Sequence, residues 1–183
     1  ALAFAQTLAQ APRILDVGTG SGCIIVSLLA QLPEARGTAV DLSPKALAVA
    51  AKNAQRNAVQ DRLTLVESDL FAGLSQDARF DIIVSNPPYI PETDKPTLMP
   101  EVAHYEPPMA LFGGQSGLDV IQRLIRAARP FLSQPGLLAL EVGAGQFPSV
   151  AELLKQAGYQ NVRAVNDLGG HARVAVGELG RPA

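Results

Sequence analysis

Short apolar runs of β-type residues alternate with longer stretches of helical periodicity along most of the chain, and this alternation narrows the fold more than any other feature. Arg13–Val17, Gly37–Asp41, Leu63–Glu67, Asp81–Ser85 and Leu137–Val142 predict strands, while Gly22–Gln31, Pro44–Asn57, Leu118–Leu132 and Ser149–Gln156 predict helices. Ile82-Ile83-Val84 and Leu137-Leu138-Ala139-Leu140 are continuously apolar, as strands covered by helices on both faces must be. Near the end, Val162–Val165 and Arg173–Val176 flank Asp167-Leu168-Gly169-Gly170, which predicts an antiparallel hairpin. The expected architecture is α/β: a Rossmann-like, mostly parallel sheet of seven strands with helices on both faces and an antiparallel C-terminal hairpin. With 183 residues it is read as one domain spanning 1–183.

The first strand runs into Asp16-Val17-Gly18-Thr19-Gly20-Ser21-Gly22 and then an apolar helix, so the glycines fall at a strand-to-helix turn where backbone can approach a ligand closely. Asp41 ends the second strand, about 20 residues on, where a carboxylate can accept both hydroxyls of an adenosine ribose. Loop and acid together point to an adenosine-containing cofactor. A dinucleotide fingerprint is G-x-G-x-x-G, and Cys23 stands where its third glycine would be. The pattern D-x-G-x-G-x-G instead resembles the cofactor loop of class I S-adenosyl-L-methionine-dependent methyltransferases. A nicotinamide enzyme and a plain glycine turn stay as rivals. In such methyltransferases an acid after the third strand, here Asp69, reaches the adenine amino group and the next side chain, Leu70, lies on the ring.

The fourth strand ends in Asn86-Pro87-Pro88-Tyr89. Two successive prolines fix φ and remove two N–H donors, giving a rigid bend rich in acceptors. The Asn86 side-chain carbonyl and the Pro87 backbone carbonyl suit the two hydrogens of a planar NH2 group, with Tyr89 placed to stack on its flat face. Withdrawing both hydrogens toward acceptors restores nucleophilicity to an amide nitrogen, so the reaction expected here is N-methylation. The stretch from Pro91 to Ser116 is rich in proline and glycine and has no period, and a loop of that length beside a strand end reads as a functional lid.

On these motifs the chain resembles the release-factor glutamine N5-methyltransferases. Further markers are Tyr105-Glu106-Pro107, Ala110-Leu111, Gly113-Gly114 before Gly117-Leu118-Asp119, Glu141 in its apolar strand, and Asp167-Leu168-Gly169-Gly170. The resemblance implies transfer of methyl from S-adenosyl-L-methionine, leaving S-adenosyl-L-homocysteine, to the glutamine side chain in the Gly-Gly-Gln motif of a peptide-chain release factor. It assigns the cofactor to Asp16, Gly18, Thr19, Gly20, Ser21, Gly22, Asp41, Asp69, Leu70 and Asn86, and catalysis to Asn86, Pro87, Pro88 and Tyr89. Similar tetrapeptides occur in methyltransferases acting on adenine in DNA, guanine in ribosomal RNA and a ribosomal-protein glutamine. Those are the alternatives, together with a cofactor-binding fragment lacking turnover. The family also carries a helical N-terminal domain, to which the resemblance partly assigns release-factor docking. The chain opens on Ala1, without Met and inside a helical pattern (Leu2, Phe4, Leu8), so that domain is expected to be missing.

Other features set limits. A formal charge of −2 and a pI near 5.7 argue against a broad basic surface, so no stable nucleic-acid binding is expected. Arg123, Arg126 and Arg129 read as a solvated strip. The lone Cys23 excludes a disulfide framework, suits a reducing compartment and so the cytoplasm, and is expected to pack as a small apolar residue. No apolar run reaches the ~20 residues a membrane span needs. His104 and His171 form no metal pattern. A monomer is expected.

Overall fold

The computed structural model describes residues 1–97 and 111–180. A single turn of helix, α1 (Leu2–Ala5), is followed by β1 (Arg13–Val17), α2 (Cys23–Gln31), β2 (Arg36–Asp41), α3 (Pro44–Arg56), β3 (Leu63–Glu67) and β4 (Phe80–Ser85). After the described part of the long connection come α4 (Asp119–Ala128), β5 (Leu132–Glu141), α5 (Phe147–Gln156), β6 (Gln160–Asn166) and β7 (Ala172–Leu179). The seven strands form one sheet in the order β3-β2-β1-β4-β5-β7-β6. All pairings are parallel except β5 with β7 and β6 with β7. The expected fold class, including the closing hairpin, is therefore the observed one.

Alternation along the strands divides the core between two faces. Leu15, Val17, Ile83, Leu138 and Leu140 pack on the face covered by α4 and α5, through Ile121, Leu124, Ile125, Val150 and Leu154. Ile14, Ile82, Val84, Leu137 and Ala139 face the other way, onto Ile25, Leu29 and Ala54 of α2 and α3. Every residue of β4 is buried. Asp81 is tolerated there because its carboxylate accepts the Arg13 backbone N–H at 2.8 Å and lies 3.7 Å from the Arg13 guanidinium.

Element ends differ from the sequence reading where a local signal was overridden. The pattern Leu118–Leu132 predicted one helix, but α4 stops at Ala128, and Arg129–Phe131 forms a single 3-10 turn carrying Pro130 before β5 begins. β7 is longer than expected because it pairs with β5 over six registered positions, Gly136 with Leu179 to Glu141 with Val174, and β5 starts early, at Leu132, which pairs with Phe80 of β4 across an irregularity. Only Leu2–Ala5 of the apolar start is helical. Cys23 heads α2 and is exposed, which corrects the expectation that it packs inside: the buried side of that helix is formed by Ile25, Val26, Leu28 and Leu29. Of the predicted lid, Glu92–Thr97 is a 3-10 helix, while Tyr105, Glu106, Pro107, Ala110 and His104 lie outside the described residues.

One arginine ties the α2 end to the sheet. Arg62 donates to the carbonyls of Leu29, Leu32 and Ala35 at 2.8–3.0 Å, placing positive charge on the C-terminal end of α2. Arg62→Ala leaves those carbonyls without their charged donor and is expected to lower unfolding free energy by about 2–3 kcal/mol, measured by urea denaturation.

Candidate functional site

The order of strands reverses between β1 and β4, so the connections leaving their carboxyl ends diverge and open a crevice. Val17 is in register with Ser85, which brings the glycine loop and the Asn86 tetrapeptide to the same point. The Ser85 hydroxyl, buried, donates to the Val17 carbonyl at 2.6 Å.

The glycine loop is held by its neighbours. The N–H groups of Gly18 and Thr19 both donate to the Val40 carbonyl, at 2.9 and 3.0 Å. Asp41 accepts from Gly20 N–H and from Ser43 N–H, each at 2.8 Å, one on each carboxylate oxygen. Asn53 of α3 donates to the Ser21 carbonyl at 2.9 Å. Gly18 and Gly20 take φ of +68° and +56°, and a Cβ built at either would meet nothing within 4 Å. Glycine is thus required there by backbone conformation, and the space beside it is open. Gly22, at φ +78°, is required on both counts, since its Cβ would also lie 3.0 Å from that of Ala50.

Beneath the loop, Asp16 is 1% exposed. Thr19 Oγ1 donates to its Oδ2 at 2.7 Å, whereas Oδ1 is the only buried side-chain polar atom without a partner among the described residues. Burial pushes the Asp16 carboxyl up to about 6, opposed by the Thr19 hydrogen bond and the nearby Ile25 backbone N–H and reinforced by the negative charge of Asp41.

At the end of β3, Ser68 N–H donates to the Asp41 carbonyl at 2.9 Å, Ser68 Oγ donates to the Leu70 carbonyl at 2.9 Å, and Gly73 N–H donates to Ser68 Oγ at 2.8 Å. This turn holds Leu70 at φ +51°, a conformation a leucine adopts only under constraint. Asp69 is exposed and pairs with Arg123 at 3.1 Å. Arg123 remains solvent-exposed, as expected, and adds this surface ion pair. Leu42, directly after Asp41, is 50% exposed, an apolar side chain at the crevice mouth that the sequence reading did not single out.

The tetrapeptide presents an exposed Asn86, a buried Pro87 and half-buried Pro88 and Tyr89. The Tyr89 hydroxyl stands 3.5 Å from Glu141 Oε1. Burial, then the Glu141 charge, holds the phenol above its ordinary range against the pull of Arg173, so Tyr89 stays neutral. The long connection is pinched at its base: Ile90 N–H donates to Leu111 O, Gly113 N–H to Ile90 O and Glu92 N–H to Gly114 O, all at 3.0 Å. A Cβ at Gly113 would come 2.5 Å from the Pro88 carbonyl, and one at Gly117 would run into the Tyr89 carbonyl. Gly113 in this aperiodic stretch and Gly117 just after it are therefore there to let the chain lie against the tetrapeptide.

A cleft of about 600 Å³ lies elsewhere. Arg79, Arg126, Arg129, Leu132, Ser133 and Gln134 line it at the amino ends of β4 and β5, at the opposite edge of the sheet from both loops. Among the described residues no helix is long and apolar enough to cross a membrane.

A doubly wound sheet whose first strand opens into D-x-G-x-G-x-G, closed by an antiparallel hairpin, defines the class I methyltransferase fold. Residues 1–104 match the model of the methyltransferase small domain, and the chain belongs to that family. It is 44% identical over 178 residues to a release factor glutamine methyltransferase of Geobacter sulfurreducens, covering 96% of this chain and 62% of that protein. A protein of the same name from Cereibacter sphaeroides is 47% identical over 166 residues, covering 91% and 59%. The chain thus spans about three-fifths of the length of these curated relatives. Among solved structures, a methyltransferase from Pyrococcus furiosus superposes with a TM-score of 0.70 at 20% identity, over 98% of this chain and 81% of that one.

Because the native state holds the Asp16 proton to about pH 6 while an unfolded aspartate releases it near 3.8, stability attributable to this group falls as pH rises between those values. Compared across pH 4 to 7 by urea denaturation, the wild-type chain is expected to lose roughly 2–3 kcal/mol more than Asp16→Asn does.

Proposed function

We propose that this chain binds S-adenosyl-L-methionine in the β1/β4 crevice and transfers its methyl group to the side-chain amide of the glutamine in the Gly-Gly-Gln motif of a peptide-chain release factor. The observation that carries the proposal is the register of Val17 with Ser85, which sets Asn86 beside the glycine loop. The identity to curated relatives of that name supports the substrate over a nucleobase amine or a ribosomal-protein glutamine.

The residues present fit the cofactor. Asp41 uses one acceptor position per oxygen to hold the loop, which leaves one on each for the two ribose hydroxyls. Leu42 and Leu70 offer apolar surface to the adenine, with Asp69 sharing its carboxylate between Arg123 and the adenine amino group. The open space at Gly18 and Gly20 accepts the body of the ligand, and Thr19, Ser21 and Gly22 complete the turn. Asp16, whose Oδ1 has no partner, supplies negative charge beneath the cationic methionyl portion. When bound, the cofactor supplies a methyl group on a cationic sulfur that departs as a neutral thioether.

Asn86 Oδ1 and the Pro87 carbonyl would each accept one hydrogen of the substrate amide, fixing its nitrogen and drawing electron density onto it. Held by these two acceptors, the amide nitrogen would take up the methyl group through its lone pair and then release one proton to water. Most of the acceleration comes from alignment and from acceptors fixed in advance, since no step needs a side-chain base. Pro87 and Pro88 contribute rigidity, and Tyr89, neutral, covers the amide plane. In this reading the protein works as a cytoplasmic monomer on a protein partner.

Incubation with labelled S-adenosyl-L-methionine and purified release factor, followed by peptide mass mapping, is expected to place label on the Gly-Gly-Gln glutamine. Asn86→Ala is expected to lower that rate at least ~100-fold. Label on DNA or ribosomal RNA instead, or undiminished transfer by Asn86→Ala, would contradict the proposal.

A further inference from the structure

We infer that Gln146 is a positioning residue for the Asn86–Tyr89 tetrapeptide, acting through the Tyr89 carbonyl and the seat of the Tyr89 ring. The inference rests on the methyl-transfer reading above, and it concerns what holds the acceptor groups still.

Pro87 and Pro88 have no N–H, so the tetrapeptide is short of the backbone donors that usually fasten a loop to its surroundings. Its far end is held from outside. Gln146 Nε2 donates to the Tyr89 carbonyl at 2.9 Å, while Gln146 Oε1 accepts from Gly143 N–H, also at 2.9 Å. The orientation of this amide follows from chemistry, because a flipped amide would set donor against donor at Gly143 and acceptor against acceptor at Tyr89.

The same amide sets where the ring lies. A Cβ on Gly143 would come 3.1 Å from Tyr89 Cδ2, so the ring rests on the Gly143 backbone, which Gln146 also grips. On the other side, Gly117 approaches so closely that a Cβ there would meet the Tyr89 carbonyl and lie 3.0 Å from Gln146 Nε2. Carbonyl, ring and amide are thus enclosed between two glycine backbones. Gln146 itself stands at the residue before the first turn of α5, whose Val150 and Leu154 are fully buried. The clamp is therefore mounted on a rigid element and not on another loop. Both polar ends of its side chain are engaged by backbone, which is why it acts through Tyr89 and not on the substrate.

Gln146→Glu separates this role from a merely structural one. It keeps an oxygen for Gly143 N–H and adds an acid at the start of α5, which the helix dipole favours, but it turns a second oxygen on the Tyr89 carbonyl. Expected for methyl transfer to release factor is a kcat about 10- to 100-fold lower, with melting temperature and affinity for S-adenosyl-L-homocysteine close to the parent. Asn86→Ala, run alongside, tests the underlying reading: if it keeps parental turnover, that reading fails whatever Gln146→Glu does. A second measurement needs no turnover. In protein carrying 13C-tyrosine, the uncharged Gln146→Met is expected to move the Tyr89 ring signal and bring its titration toward that of an ordinary phenol, leaving Tyr159 in place. Parental kcat in Gln146→Glu, a loss that merely tracks unfolding, or an unmoved Tyr89 signal in Gln146→Met would each overturn the inference.

Discussion

At the carboxyl ends of the two central strands, the Ser85 hydroxyl closes on the Val17 carbonyl at 2.6 Å, in a position that is 3% exposed. The site depends on this contact and the parallel register behind it, Ile14 with Ile82 through Val17 with Ser85. β1 carries the glycine loop proposed to hold the cofactor, and β4 carries the tetrapeptide proposed to receive the substrate amide. A slip of one residue would turn each strand's apolar set to the wrong face, and with both faces of the sheet covered it is strongly opposed. Burial of the core therefore fixes the distance between donor and acceptor sites before any ligand arrives.

The irregular residues around the crevice form one system. The glycine loop hangs from Val40, Asp41 and Asn53, which belong to β2 and α3. The tetrapeptide, deprived of two N–H groups, is gripped by Gln146 and flanked by Gly113, Gly117 and Gly143. Asp16 Oδ1 without a partner and Leu70 at positive φ are local departures from the ordinary economy of a fold. They persist because neighbours over-determine them, and such departures gather where function requires them.

The architecture was legible because its signals were redundant. Apolar runs at β4 and β5, the glycine turn after β1 and the Gly-containing turn between β6 and β7 each implied the same doubly wound sheet. The residues proposed for the site were legible for a similar reason, lying at successive strand ends. What escaped were contacts between segments far apart in sequence. Gln146 lies 57 residues from Tyr89, and nothing in Gly143-Ala144-Gly145-Gln146 beyond its place after a strand announces a clamp. Nothing in the sequence around Asn53 or Ser68 marks them as holding the Ser21 and Leu70 carbonyls. Cys23 was misplaced because composition says that cysteines pack inside, whereas the helix phase, set by Ile25 and Leu29, turns it outward. The surface pair of Arg123 with Asp69 is invisible in the sequence because the two lie 54 residues apart.

The most direct test of the central claim is a crystal structure of the chain with S-adenosyl-L-homocysteine bound. The account predicts the ribose hydroxyls on Asp41, the adenine against Leu42 and Leu70, and the sulfur facing the Asn86 side chain across the β1/β4 crevice. A ligand seated in the arginine-lined cleft at the opposite edge of the sheet, or one in the crevice with its sulfur turned away from Asn86, would contradict it.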